Sequence, residues 1–248
     1  MSTQPAKTAI ITGGTKGVGK GIADRFATLG MNLVIAYDRD DQAAQSAAEE
    51  LEGKGAKVLL VKADITKRGE VEELFKRAAS EFGQIDIVMA NAGVEVIDRT
   101  FADLEQERMD HVIDLNVKGT FFTLQQAARH VVDGGSIVVT ASTIALYPPE
   151  KAGIYASTKA ATRTMVEVLA KELGPRRVNV NSLSPGMVKT AGVFTDISQK
   201  LEKEAVDATP LGRMVLPADV GGVAAFLVSD DAAMISGQHL GITGGAVQ

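Results

Sequence analysis

Thr8-Ala9-Ile10-Ile11-Thr12 runs directly into Gly13-Gly14-Thr15-Lys16-Gly17-Val18-Gly19, after which Ile22, Ala23, Phe26 and Leu29 recur on one helical face until Gly30. The short β-branched run predicts a strand buried on both faces, and the recurrence predicts a helix with a glycine stop. Strand, glycine turn and helix in this order form the context in which a dinucleotide's pyrophosphate lies at a helix N-terminus. The glycines let the main chain approach it closely. The spacing here is Gly-x-x-x-Gly-x-Gly rather than Gly-x-Gly-x-x-Gly, so a glycine turn with no ligand is the competing reading.

Working outward, Leu33–Tyr37 reads as the second strand, and its end is where an adenosine ribose would lie. The charges there conflict. Asp38 stands where an acidic residue would bind the ribose hydroxyls of NAD, whereas Lys16 and Arg39 suit the extra phosphate of NADP. Tyr37 takes the last strand position, and Asp38, Asp40 and Asp41 oppose a phosphate. The two cations favour NADP(H), with NAD(H) as the alternative. An alanine- and glutamate-rich helix follows over Asp41–Leu51, then a third strand over Val58–Val61 that ends at Ala63-Asp64. Asp64 suits a hydrogen bond from adenine, or equally a helix N-cap at Asp64 or Thr66.

Val71, Leu74, Phe75, Ala78 and Phe82 mark the next helix, and Ile85–Met89 a fourth strand running into Asn91-Ala92-Gly93. Small residues after a strand allow a ligand close, and an asparagine there can brace neighbouring backbone. A helical region is expected from about Asp103 to Val132, with Asn116 as a polar residue on its inward face. Such an asparagine must find partners, as a structural bridge or as the holder of a water. Ser136–Thr140 predicts the fifth strand with Ser142 just past its end, on the edge where open α/β sheets bind ligands. Val178–Leu183 is the sixth strand and delivers Pro185-Gly186 to that edge, Ala218–Val228 is a last helix, and Gln238–Ile242 closes the sheet.

The chain has 248 residues, 45% of them hydrophobic and 23% charged, with a net charge of −5. This suits one soluble α/β domain over 1–248 and leaves no basic cluster for nucleic acid. There is no cysteine, which excludes disulfides, thiolate metal sites and a cysteine nucleophile. No apolar run nears the ~18–20 residues of a membrane span, and the first six residues lack the pattern of a signal peptide, so a cytoplasmic protein without membrane contact is expected. The three histidines, His111, His130 and His239, are scattered; with no ligand-like spacing they read as surface or interface residues, and no metal is expected.

Tyr155 and Lys159 are four residues apart on a helix that ends at Leu173-Gly174-Pro175, which places them on one face a turn apart. A tyrosine ordinarily titrates near pH 10, and a fixed ammonium beside it favours the phenolate and lowers that value. By itself the spacing also fits a partly buried tyrosine beside a solvated lysine.

Taken together, Thr12-Gly13-x-x-x-Gly17-x-Gly19, Asn91-Ala92-Gly93, Asn116, Ser142, Tyr155-x-x-x-Lys159 and Pro185-Gly186 resemble the ordered motifs of the short-chain dehydrogenase/reductase family over nearly the whole chain. The thirteen-residue step from Ser142 to Tyr155 also fits. The resemblance implies a doubly wound Rossmann-type parallel sheet of seven strands in the order 3-2-1-4-5-6-7. It implies an NAD(P)(H)-dependent ketone reductase or alcohol dehydrogenase, with 3-oxoacyl-carrier-protein reductase as the alternative and a non-catalytic nucleotide-binding regulator as the alternative of another class. Tyr155 then resembles the acid/base, Ser142 the hydroxyl that polarises the substrate oxygen, and Lys159 the ribose-binding residue that lowers the tyrosine pKa. Asn116 resembles the helix-bending asparagine that holds a water in the proton relay. Cofactor contacts are implied at Gly13, Thr15, Lys16, Gly17, Val18, Gly19, Tyr37, Asp38, Arg39, Asp64, Ile65, Asn91, Ala92, Gly93, Pro185, Gly186, Val188 and Thr190. Two departures stand out: Ala90 replaces the first of a usual asparagine pair, and Ile242-Thr243-Gly244-Gly245 replaces a frequent Val-Asp-Gly-Gly near a subunit contact. A homotetramer is the family expectation.

Residues 187–214 form a long irregular insertion, expected as a lid over a small carbonyl or alcohol substrate, with a static surface loop as the alternative. Met187 and Phe194, together with Ile144 and Tyr147 after Ser142, are the candidate substrate lining beside Ser142 and Tyr155.

Overall fold

The computed structural model describes residues 6–189 and 199–246. Seven strands form one sheet in the order β3-β2-β1-β4-β5-β6-β7, as expected, and every pairing is parallel. They are β1 (Thr8–Thr12), β2 (Asn32–Tyr37), β3 (Val58–Lys62), β4 (Ile85–Ala90), β5 (Val131–Thr140), β6 (Asn179–Pro185) and β7 (His239–Ile242). β1 and β4 are buried along their whole length, which is why their sequences are mostly apolar on both faces rather than alternating.

The helices α1 (Gly17–Thr28), α2 (Asp41–Glu52), α3 (Arg68–Phe82), α4 (Gln106–Ile113), α5 (Thr120–His130), α6 (Gly153–Leu173), α7 (Gln199–Asp207) and α8 (Pro217–Leu227) cover the sheet. Two apolar cores result. One holds Ile10, Val34, Phe75, Val88, Leu124, Val139 and Val166 between the sheet and α3, α5 and α6. The other holds Ile11, Phe26, Leu33, Met89, Val138 and Val220 on the α1 and α8 side. Alternate residues of β1 therefore serve opposite layers, as the period of two requires.

α1 and α8 approach closely at two glycines. A Cβ on Gly21 would lie 2.4 Å from the Pro217 carbonyl oxygen, and one on Gly221 would lie 2.4 Å from that of Gly21.

Two stretches differ from the sequence expectation. The helix expected to run from Asp103 to Val132 is α4 and α5 joined by a π-helical turn over Asp114–Gly119, with Asn116 inside it. β5 starts at Val131, five residues before the expected Ser136. Val131 pairs with Ile85, and the register then shifts before Ile87 meets Ser136. The glycines at 134 and 135, the first at φ 80°, make this part of β5 read as a turn although it pairs as a strand.

Candidate active site

The C-terminal ends of β1, β4, β5 and β6 converge on one cleft of about 570 Å³, within the range of small-molecule and cofactor sites. Thr12 ends β1, and its hydroxyl oxygen accepts from the N–H groups of Asn91 (3.0 Å) and Ala92 (3.1 Å). The Asn91 amide donates to the carbonyls of Thr12 (3.1 Å) and Gly13 (3.2 Å). Its oxygen accepts from the Thr140 hydroxyl at 3.0 Å. Lys159 Nζ donates to the Thr140 carbonyl at 2.8 Å. One hydrogen-bonded chain thus ties the glycine turn to α6.

The glycine turn has the crowding its sequence implies. Gly13 sits at φ 66°, a conformation that disfavours side chains. A Cβ on Gly19 would lie 2.1 Å from the Gly13 carbonyl oxygen and 2.6 Å from the Asn91 amide nitrogen. Lys16 is the N-cap of α1 and makes no side-chain cap, and no acidic residue stands in the first turn. A helix N-terminus left in this state attracts an anion.

Gly13, Thr15, Lys16, Gly17, Val18, Gly19, Tyr37, Asp38, Arg39, Asp64, Ile65, Asn91, Ala92, Gly93, Ser142, Tyr155, Lys159, Pro185, Gly186 and Val188 all line this cleft. Asp64 does not cap α3, whose N-cap is Lys67. Its carboxylate accepts instead from the Thr66 N–H at 3.0 Å and the Thr66 hydroxyl at 2.7 Å. Around the end of β2 the aspartates are engaged: Asp38 pairs with Arg39 at 2.7 Å, Asp40 accepts from the Ala43 N–H at 3.0 Å, and Asp41 pairs with Lys62 at 3.0 Å. Lys16 has no ion-pair partner among the described residues.

Asn116 is 1% exposed and lies behind the cleft wall. Its oxygen accepts from the Val94 N–H (2.8 Å), and its amide donates to the Val94 carbonyl (2.8 Å) and the Thr158 hydroxyl (3.1 Å). The side chain is therefore a bridge between the π-helical turn, the loop after β4 and α6.

Tyr155 is 8% and Lys159 6% exposed. The Ser142 hydroxyl acts on the Tyr155 phenol and favours its charged form. The titration of the pair departs from the sequence expectation. Burial, and then the charge of Glu95, push the phenol above its ordinary range, and only the Ser142 hydroxyl opposes them. Burial also lowers the Lys159 ammonium to about 8, against the pull of Glu95. Desolvation disfavours the charged form of both groups, so burial outweighs the lowering of the phenol that the lysine was expected to supply.

The substrate side is less complete. Ile144 packs with Ala152, Ala156 and the Tyr155 ring in a small buried cluster. Tyr147 and Met187 are 44% and 39% exposed, and neither they nor Ile144 line the cleft. Thr190 and Phe194 lie outside the described residues, as does the centre of the expected lid. The described ends of that segment are joined: Val188 and Val215 form a parallel bridge, and the Val215 N–H donates to the Met187 carbonyl at 3.2 Å. Sequence reading passed over Val94, Glu95 and Leu115 as cleft residues, and His111, read as a surface or interface residue, is exposed and lines the cleft as well. The first two follow Gly93 directly, and Leu115 lies four residues after His111. Proximity to the Asn-Ala-Gly turn and the helical spacing were the available signals. Among the described residues no cluster could hold a metal ion, and no helix is long and apolar enough to cross a membrane.

A family model described as Enoyl-(Acyl carrier protein) reductase matches residues 13–247. A hydroxynaphthalene reductase-like protein of Metarhizium brunneum is 36% identical over 97% of this chain and 95% of its own length. Among solved structures, a 3-ketoacyl-(acyl-carrier-protein) reductase of Brucella melitensis complexed with NADH superposes with a TM-score of 0.88 at 33% identity, covering 97% of this chain and 98% of the other. A short chain dehydrogenase of Burkholderia cenocepacia in complex with NADP superposes with a TM-score of 0.88 at 32% identity and 97% coverage of both chains.

Proposed function

The chain belongs to the short-chain dehydrogenase/reductase family of oxidoreductases, and we propose that within it the protein reduces the carbonyl of a small ketone with a nicotinamide dinucleotide. One observation carries this reading: Ser142, Tyr155 and Lys159 stand at one end of a cleft whose other end is the glycine turn at the α1 N-terminus. The crowding at Gly19 and the uncapped helix terminus fit a pyrophosphate. Gly13, Lys16, Gly17, Val18 and Gly19 would hold the phosphates, and Asn91, Ala92, Gly93, Lys159, Pro185 and Gly186 the nicotinamide half. When bound, the nicotinamide supplies or accepts the hydride.

The chain's own groups manage the oxygen and its proton. Ser142 donates a hydrogen bond to the substrate oxygen and polarises the carbonyl. Tyr155, protonated at neutral pH because burial disfavours its phenolate, is a proton donor to that oxygen. This protonation state favours reduction over oxidation. Asn116 keeps the loop and α6 in register behind the pair.

NADP(H) is our preferred cofactor. Asp38, Asp40 and Asp41 are each engaged locally, while Lys16 carries no ion-pair partner among the described residues and would accept a 2′-phosphate. A second reading, reduction of a 3-oxoacyl-carrier-protein thioester, draws on the similarity to the Brucella melitensis enzyme. We extend the reading to one catalytic domain, a homotetrameric assembly and a substrate cover at 187–214.

The test is loss of absorbance at 340 nm with NADPH or NADH against a panel of ketones and acetoacetyl thioesters. Tyr155→Phe should lose about 10²–10⁴-fold in turnover while still binding cofactor. Retention of most activity in that variant, or no oxidation of either cofactor by the wild type, would sink the assignment.

A further inference from the structure

Glu95 stands two residues past Gly93 on the wall of the cleft that also carries Ser142 and Tyr155, and the chemistry above has no use for it. Its backbone is held in place: the adjacent Val94 exchanges both of its main-chain hydrogen bonds with the Asn116 amide, each at 2.8 Å. Its carboxyl makes no hydrogen bond and no ion pair among the described residues. Its neighbours on the wall include Val94 and Leu115, both apolar. Burial pushes its pKa up, with the Lys159 ammonium opposing the rise, and its charge acts on both Tyr155 and Lys159.

A carboxyl partly withdrawn from water and without a hydrogen-bond partner gains from a donor brought to it. Natural proteins keep such groups mostly where a ligand supplies the missing partner. The phosphate end of the cleft, at the α1 N-terminus, is no place for an anion-repelling carboxyl, and Glu95 is not there. It shares the cleft wall with the proton donor, and its charge acts on that donor.

We infer that Glu95 is the specificity-determining residue of the substrate site, accepting a hydrogen bond from a donor that the substrate carries a few bonds from its carbonyl. The substrate class is then hydroxylated or amino ketones. This inference rests on the ketone-reductase reading. A plain or alkoxylated ketone leaves the carboxyl without a donor, and an acidic substituent meets like charge. A site built to hydrogen-bond a substrate group discriminates strongly against the analogue that lacks it.

The experiment compares 3′-hydroxyacetophenone, 3′-methoxyacetophenone and 3′-(aminomethyl)acetophenone as substrates of the wild type, Glu95→Gln and Glu95→Leu, with NADPH. The wild type should prefer the hydroxyl and ammonium ketones over the ether at least ten-fold in kcat/KM, mostly through KM. Glu95→Leu should lose that preference and turn over the ether better than the wild type does. Glu95→Gln still accepts from a hydroxyl but has no charge, so it should keep the hydroxyl preference and lose the ammonium one. Equal selectivity in the wild type and Glu95→Leu overturns the inference and leaves the reductase reading intact. Calorimetric titration with 3′-hydroxyacetophenone separates the two further, because Glu95→Leu should bind it at least ten-fold more weakly whether or not turnover occurs. Equal affinity there also overturns the inference, whereas weaker binding with no NADPH oxidation by the wild type overturns the reductase reading alone.

Discussion

Lys159 Nζ lies 5.7 Å from the centre of the Tyr155 ring, and both side chains are held almost wholly out of water. Desolvation acts on them in opposite senses. It raises the phenol and lowers the ammonium, the latter to about 8. As pH rises the lysine therefore gives up its proton before the tyrosine does. Below that pH the pair is a neutral phenol beside a buried cation, an arrangement that suits proton donation.

Lys159→Met should stabilise the fold at pH 6–7 by about 1–3 kcal/mol, the cost of holding the ammonium in a desolvated site less the loss of its bond to Thr140. The folded-state pKa of about 8 lies below the ordinary lysine value near 10.4. Between the two the unfolded chain binds more protons, so wild-type stability rises with pH across that window. The advantage of the variant should accordingly be full below pH 8 and shrink towards pH 10. Urea unfolding of both proteins from pH 6 to 10 measures it, and a gap that does not change with pH would show that the lysine is not desolvated. Turnover should fall sharply in the same variant.

Gly19→Ala places a methyl 2.1 Å from the Gly13 carbonyl oxygen, so the turn or α1 must shift. We expect a loss of about 1–3 kcal/mol in stability and at least a ten-fold loss of dinucleotide affinity, read by fluorescence titration. Gly30→Ala meets no atom within 4 Å but sits at φ 72°; it should cost stability without touching dinucleotide affinity. The pair of variants separates strain from loss of the phosphate site.

Asn116→Ala strips Val94 of partners for both its N–H and its carbonyl. Each buried group left unpaired costs about 1–3 kcal/mol, and the loop carrying Gly93 and Glu95 loses its anchor. Lower stability and faster amide exchange over 91–97 should appear together. Asn116→Asp, which can accept from the N–H but cannot donate, should fall between alanine and wild type. Unchanged exchange in the loop would show that the bridge does not hold it.

Lys16→Ala should raise the KM for NADPH about ten-fold or more and leave NADH nearly untouched, because the lysine's charge is aimed at a phosphate that NADH lacks. That expectation follows from the NADP(H) reading; an equal effect on both cofactors would place the lysine at the pyrophosphate instead.

What the sequence disclosed followed from how many constraints each residue carried. β1, the glycine turn and α1 were legible because a doubly buried strand, a crowded backbone and an amphipathic helix each leave a periodic or compositional mark. The convergence of Ser142, Tyr155 and Lys159 was legible through the resemblance of the ordered motifs, since the Tyr-x-x-x-Lys spacing alone left it open. The start of β5 was not, since Gly134 and Gly135 carry no side chain to reveal a strand and their pairing with β4 is long-range. Glu95 was hidden for a different reason: a glutamate in a loop looks like surface, and only the pinning of the adjacent Val94 by a residue 22 positions away shows that its backbone is held on the cleft wall. The shift of the Tyr155 phenol was misread because burial leaves no trace in a Tyr-x-x-x-Lys spacing.

The close crossing of α1 on α8 bears on how such a protein can change its substrate. Gly21 and Gly221 lock the helix behind the phosphate turn onto the element that follows the 187–214 insertion, and the Val188–Val215 bridge closes the base of that insertion. The chain between these two fixed points can lengthen, shorten or change composition without re-aiming the phosphate-binding turn. Selection on substrate choice is thereby uncoupled from selection on cofactor geometry. A fold joined at that seam can take on new small-molecule substrates one loop at a time.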